Sequence, residues 1–246
     1  FNFMKTKDLF DLDAKSTKAA GGYCTYLRNW RSPFIFANFN GTTHDVEVLT
    51  HEAGHAFQVF SSRDYIPEYT WPGMESAEIH SMSMEFFTWP WMDLFFEEEA
   101  DKFRYKHITH CLMFLPYGAL VDEFQHVVYE NPELSPKERR EKYRELEKKY
   151  LPHRDYDGIK VLEEGGFWFR QRHIYQMPFY YIDYTLAQVC AFQFWNKDRK
   201  DHKTAFADYL RLCKTGGTKP FLQLLEVAKL ENPFIYGTIK KAVEPI

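Results

Sequence analysis

Cysteine is scarce in this sequence and unclustered. Cys24, Cys111, Cys190 and Cys213 are scattered over 246 residues with no CxxC pair. That spacing argues against a cysteine-rich zinc site, and a chain of this length can bury a core without a disulfide framework. The four are expected to be buried, reduced thiols of a cytoplasmic protein. Long apolar runs are also missing. The longest, 111–121, contains Pro116 and Gly118 and falls well short of the ~20 residues a membrane helix needs. There is no excess of positive charge. A formal net charge of −4 gives no general attraction to nucleic acid or to an anionic membrane. No internal repeat or low-complexity linker is visible.

What remains is the composition of a globular protein, with 45% hydrophobic and 27% charged residues. The pattern predicts one mainly α-helical domain over 1–246 with a small β element near its start. Residues 1–40 look irregular, with a turn at Gly21-Gly22 and a short aromatic strand at 34–39. Thr42 or Thr43 can cap a helix running to about residue 61, with Asp45 and Glu47 in its first turn. A proline-rich loop at 63–74 precedes a helix over 75–89. Residues 101–129 are mostly helical, with a break predicted at Pro116. Ser135-Pro136-Lys137-Glu138 is a helix start, and the charged helix it opens runs to residue 150. Another helix is predicted over 178–196, and more follow near 202–214, 219–230 and 233–242. Phe86, Phe87, Trp89, Trp91, Phe95 and Phe96 are assigned to the core.

The first of the long helices carries His51-Glu52-Ala53-Gly54-His55. Histidines at i and i+4 stack on one helix face, so both imidazoles can reach one metal ion. Glu52, next to the first ligand, can take a proton from an attacking water. Val46, Leu49, Ala53, Phe57 and Phe60 follow helical spacing on the other side. Gly54 leaves room for another chain to approach. A catalytic zinc wants three protein ligands and one open position. Glu75, Glu78 and Glu85 on the next helix are candidates for the third, and spacing alone does not choose among them. Glu78 and Glu85 share a face, so one can ligate while the other supports the site.

Residues 74–87, following 51–58, resemble the oligoendopeptidase F family of zinc metallopeptidases, which is related to thimet oligopeptidase. In that family the metal-binding Glu is followed by Ser at three residues and Glu at seven, and Glu78, Ser81 and Glu85 match. The resemblance implies a zincin-like helical catalytic domain. One Zn2+ per chain would be held by His51, His55 and Glu78, with Glu85 behind the ligands. His80 is not expected to ligate.

A distal segment, Gly165-Gly166 to His173 followed by Pro178 to Tyr184, reads on its own as a loop and an aromatic helix, with Tyr181 and Tyr184 on one face. The resemblance implies that His173, Tyr181 and Tyr184 bind substrate and steady the oxyanion, with Tyr180 an alternative to Tyr181. It further implies that the strand before the HExxH helix lines the cleft and pairs with extended peptide. The implied activity is zinc-dependent cleavage of internal bonds in short oligopeptides. Family members are about twice as long, so the implied partner is an N-terminal helical half of the same enzyme forming the other wall of a channel. Two alternatives stay open: a catalytically inactive zinc-binding or interaction fragment, and an aminopeptidase.

Overall fold

Aromatic and β-branched residues between 32 and 37 have neighbours to pack against on both sides, and they form the middle strand of a three-stranded sheet. In the structure, a computed structural model describing residues 1–19 and 21–246, β1 (Phe10–Asp11) pairs parallel and β2 (Gly22–Leu27) antiparallel with β3 (Ser32–Ala37). The strand predicted over 34–39 therefore ends earlier. Asn38 leaves the ladder and accepts the Lys15 backbone N–H on its side-chain amide at 2.9 Å. β2 lies in a stretch expected to be irregular. The turn at the glycine pair is confined to Gly21, whose φ of +98° is in the left-handed region, and Gly22 already belongs to the strand. A Cβ at Gly22 would lie 2.6 Å from Val48 Cγ1, so the glycine lets the sheet close onto the following helix.

The chain divides into two compact units, one of residues 1–107 with 187–246, the other of 108–186. In the first, α1 (Thr43–Ser62) begins at Thr42, where the backbone N–H groups of Asn40, Gly41 and Thr42 converge on the Asp45 carboxylate. Asp45 thus caps the helix and complements its dipole. α2 (Met74–Phe87) packs on α1. Beyond it the chain tightens into a 3-10 turn, Trp89–Trp91. This change of pitch rotates the aromatic run out of phase. Phe86 and Phe87 are buried, but Trp91 and Phe95 are 53% and 51% exposed and do not belong to the core.

α3 (Ala100–Glu130) continues through Pro116 without the predicted break. One missing N–H costs a single helical hydrogen bond. The complete burial of Leu120, Val121 and Phe124 just beyond holds the next turns in place.

In the second unit, those side chains pack with Tyr143 of α4 (Pro136–Tyr150). Ser135 caps α4, accepting from the Glu138 N–H while Glu138 accepts from the Ser135 N–H. His173 lies not in a loop but in a short helix, Arg172–Gln176. α5 (Tyr181–Asp198) starts after Pro178, because Phe179 sits at φ +63° and its N–H donates to Gln125 Oε1 at 2.8 Å instead of entering a helix. The last helices, α6 (His202–Thr215), α7 (Phe221–Ala228) and a turn and a half at Thr238–Val243, belong to the first unit. Two are shorter than predicted. Lys229 at φ +53° ends α7, and Gly237 at φ +91° delays the last. Among the described residues no helix is long and apolar enough to cross a membrane, and none of the four cysteines is in a disulfide.

Candidate metal centre and active site

Gly54 fixes how close α1 and α2 come. A Cβ there would stand 2.5 Å from the His80 carbonyl oxygen and 2.6 Å from Ser81 Cα, so only glycine fits. That approach brings Glu78 of α2 up to the two histidines of α1. Glu78 Oε2 lies 3.1 Å from His51 Nε2 and 3.3 Å from His55 Nε2. The His51 and His55 rings are 5.2 Å apart at 81°. One donor atom from each of the three residues falls within 4.8 Å of the others, a grouping that could hold a metal ion. Two imidazole nitrogens and a carboxylate oxygen are a donor set suited to zinc.

The carboxylate is prepared to stay charged. Burial would raise the Glu78 carboxyl, but the charge of His55 and the hydrogen bonds of His51 and His55 hold it well below the usual carboxylate range. Ser81 Oγ also donates to Oε2 at 2.8 Å. Burial opposes a charge on His51, yet its hydrogen bonds to Glu78 and Glu85 raise it well above the usual imidazole range. A cation between the ring nitrogens and Glu78 would replace the proton that now serves that carboxylate.

The two histidines are anchored differently. His51 Nδ1 lies 2.7 Å from Glu85 Oε1. His55 Nδ1 is buried with no hydrogen-bond partner among the described residues, and its ring leans on Trp71 at 5.9 Å. Glu85 is a node, since its other oxygen meets His107 Nε2 at 2.7 Å. Nothing in the sequence signals His107, whose chain separation of 22 from Glu85 is no motif spacing. Burial would raise the Glu85 carboxyl, but the hydrogen bonds of His107 and His51 bring it down to about 2.

Glu52 is buried beside the pair. Burial, its largest influence, raises its carboxyl above the usual value against the charges of His51 and His55. The Cys24 backbone N–H also serves it. A carboxylate shifted toward neutrality is suited to accept and return a proton. Glu75 is not in the metal-competent group, and neither is His80. His80 Nδ1 faces the Ser76 and Ala77 carbonyls, and burial with the charge of His55 pushes its imidazole down to about 4.

In the second unit the distal residues are gathered. The His173 ring lies 5.1 Å from that of Tyr181, 5.6 Å from Tyr184 and 6.4 Å from Tyr180. Gln171, another residue without a sequence signal, bridges Tyr117 and His173. Tyr117 O–H donates to its Oε1 at 2.9 Å, and its Nε2 lies 2.7 Å from His173 Nδ1.

Comparison with known proteins agrees with this architecture. The model of Peptidase family M3 matches residues 3–243. An oligoendopeptidase F homolog of Borreliella burgdorferi (strain B31) is 28% identical over 225 residues, covering 87% of this chain and 37% of that protein. A solved structure of Pz peptidase A with inhibitor 2 superposes with a TM-score of 0.96 at 59% identity, covering 99% of this chain and 44% of that one. This chain thus spans less than half the length of either relative.

Proposed function

We propose, for a chain that belongs to peptidase family M3, that it is the catalytic portion of a zinc-dependent endopeptidase cutting internal bonds of short oligopeptides. The observation that carries the proposal is the convergence of His51, His55 and Glu78 within 4.8 Å, with Glu52 adjoining His51 on the same helix. These three residues would hold one zinc ion. When bound, zinc supplies Lewis acidity to water and to a peptide carbonyl. Glu52 takes the proton of the attacking water on its carboxylate and returns it to the leaving amine. Glu85 holds the His51 ring by its Nδ1. His173 and Tyr184, with Tyr181 beside them, donate to the oxygen that becomes charged. Their support is the ring cluster of the second unit together with the family resemblance.

Residues 1–246 act in this reading as one catalytic domain. The remaining length seen in the relatives supplies a helical N-terminal half, the far wall of a channel that admits short peptides. A cytoplasmic location would keep the four cysteines, none of them in a disulfide, reduced.

The test is zinc content paired with cleavage of a terminus-blocked, internally quenched peptide, for wild type and Glu52→Ala. Both should carry one zinc, and only the wild type should cut. Cleavage retained by Glu52→Ala overturns the mechanism. Failure on the blocked peptide with success on a free amino terminus would make the protein an aminopeptidase. The coverage of only 37–44% of its relatives favours one second reading, a zinc-binding portion inactive by itself. That reading predicts stoichiometric zinc without turnover.

A further inference from the structure

Glu85 joins His51 to a chain of donors, His107 and Trp89, that the mechanism above does not use. His107 Nε2 lies 2.7 Å from Glu85 Oε2, and on the other side of the same ring Trp89 Nε1 donates to His107 Nδ1 at 3.0 Å. An indole N–H can only donate. His107 Nδ1 must therefore be an acceptor, and the single ring proton stands on Nε2. That N–H is spent on Glu85 Oε2. The ionised carboxylate, an acceptor only, then has Oε1 facing His51 Nδ1 at 2.7 Å. His51 must present an N–H there, which leaves its Nε2 as the atom aimed at Glu78.

We propose that Trp89 and His107 are positioning residues that fix, through Glu85, the tautomer and ring plane His51 needs as a metal ligand. The inference rests on the reading that His51, His55 and Glu78 bind zinc. The middle link is sheltered. His107 is 3% exposed, so water does not compete for its nitrogens. Its ring stacks on Phe103 at 5.9 Å and 5°, and meets Phe86 at 5.1 Å and Trp89 at 5.7 Å. These contacts stop the imidazole from turning to another partner. A donor behind the carboxylate that orients a ligating histidine is the arrangement by which distant residues tune metal affinity.

The alternative is a histidine that merely fills the core, and substitutions separate the two. Gln at position 107 keeps an N–H donor near the place of Nε2, whereas Phe keeps the ring volume without the donor. The zinc dissociation constant, measured by chelator competition, should weaken about 10–100-fold in His107→Phe and stay within about threefold of wild type in His107→Gln. Trp89→Phe should fall between them. In the zinc-free wild type, nitrogen-15 histidine spectra should show the proton of His107 on Nε2. Melting of the zinc-free variants reports any loss of packing. Wild-type affinity in His107→Phe, equal weakening in the Phe and Gln variants, or a proton on Nδ1 of His107 would each overturn the relay alone. A wild type that takes up no zinc overturns the metal site, and the relay with it.

Discussion

Gly54 and His80 touch across the two site helices, with room for no side chain between them. The carbonyl oxygen of His80 is 2.5 Å from where a Cβ at 54 would stand, and it already accepts the Tyr209 O–H at 2.8 Å. On an open helix, Gly→Ala adds about 1 kcal/mol of stability. Here the obstacle is backbone rather than a flexible side-chain end, so α2 must shift as a body. Gly54→Ala should destabilise the protein by about 1–3 kcal/mol, the usual range for overpacking. It should also weaken zinc binding, because Glu78 moves with α2. Urea denaturation and chelator competition measure both effects, and a stabilised variant would contradict the close-contact argument.

Metal removal should be legible in stability. A ligand that binds only the folded state adds about 2.7 kcal/mol at a hundred times its dissociation constant. The zinc-loaded protein should therefore melt at a higher temperature than the same protein after chelation. Glu78→Ala should abolish the difference. It should also lower the melting point of the zinc-free form, since that carboxylate serves both imidazoles. A wild-type melting point that is the same after chelation as at saturating zinc would show that the cluster holds no metal.

The parts of this site that the sequence reveals are those written in short spacings. His51 and His55 share a face because four residues make roughly one turn, and Glu78 with Glu85 shares one because seven make two. Spacing does not decide the third ligand, and the resemblance to a family points to Glu78. His107 is invisible in the sequence because tertiary packing, not periodicity, brings it to Glu85. Gln171 stands two residues from His173, and what no spacing signals is the Tyr117 hydroxyl that packing brings to its other end. The helices are legible where a cap announces them, as at Ser135, and not where packing overrides propensity, as at Pro116. The strand at Gly22–Leu27 is hidden because a glycine pair looks like a turn, whereas only Gly21 adopts the turn conformation.

Tyr181 and Tyr184 have rings 5.6 Å apart but different surroundings. Tyr181 is buried, and burial, with the neighbouring phenols of Tyr117 and Tyr184, pushes its hydroxyl above the ordinary phenol range. It is wedged against Phe114 and Tyr117 in the core of the second unit. Tyr184 is only partly buried. Tyr184→Phe should lower kcat by about 10²–10³ with little change in melting temperature, the cost of losing one oxyanion donor. Tyr181→Phe should cost less in kcat and should keep its packing, since the ring is retained. Equal rate losses in the two would assign the donor role to both, and an undiminished kcat in Tyr184→Phe would remove it from the mechanism.

Asp208 gives a pH dependence that does not involve the metal centre. Its carboxylate is 2% exposed and takes Lys197 Nζ at 2.6 Å, Lys229 Nζ at 3.4 Å and the Arg211 guanidinium. Burial would raise this carboxyl, but the hydrogen bond and charge of Lys197, then the charges of Lys229 and Arg211, hold it below its ordinary value of 3.8. A carboxylate whose folded pKa lies below its unfolded one binds more protons when unfolded. Its contribution to stability is therefore complete above the unfolded pKa and disappears as pH falls through the folded one. Asp208→Asn should destabilise the zinc-free protein at neutral pH by about 3 kcal/mol, the lower end for breaking a buried pair. The lower end applies because Lys197 retains the Ala228 and Lys229 carbonyls. Below about pH 4 the gap between variant and wild type should narrow, because the wild type loses an advantage the variant never had. Denaturant titrations from pH 7 to pH 3 measure the gap directly. Other carboxylates titrate in both proteins and cancel in the difference, so a gap that stays constant over that range would show that the Asp208 carboxyl is not held low by its cations.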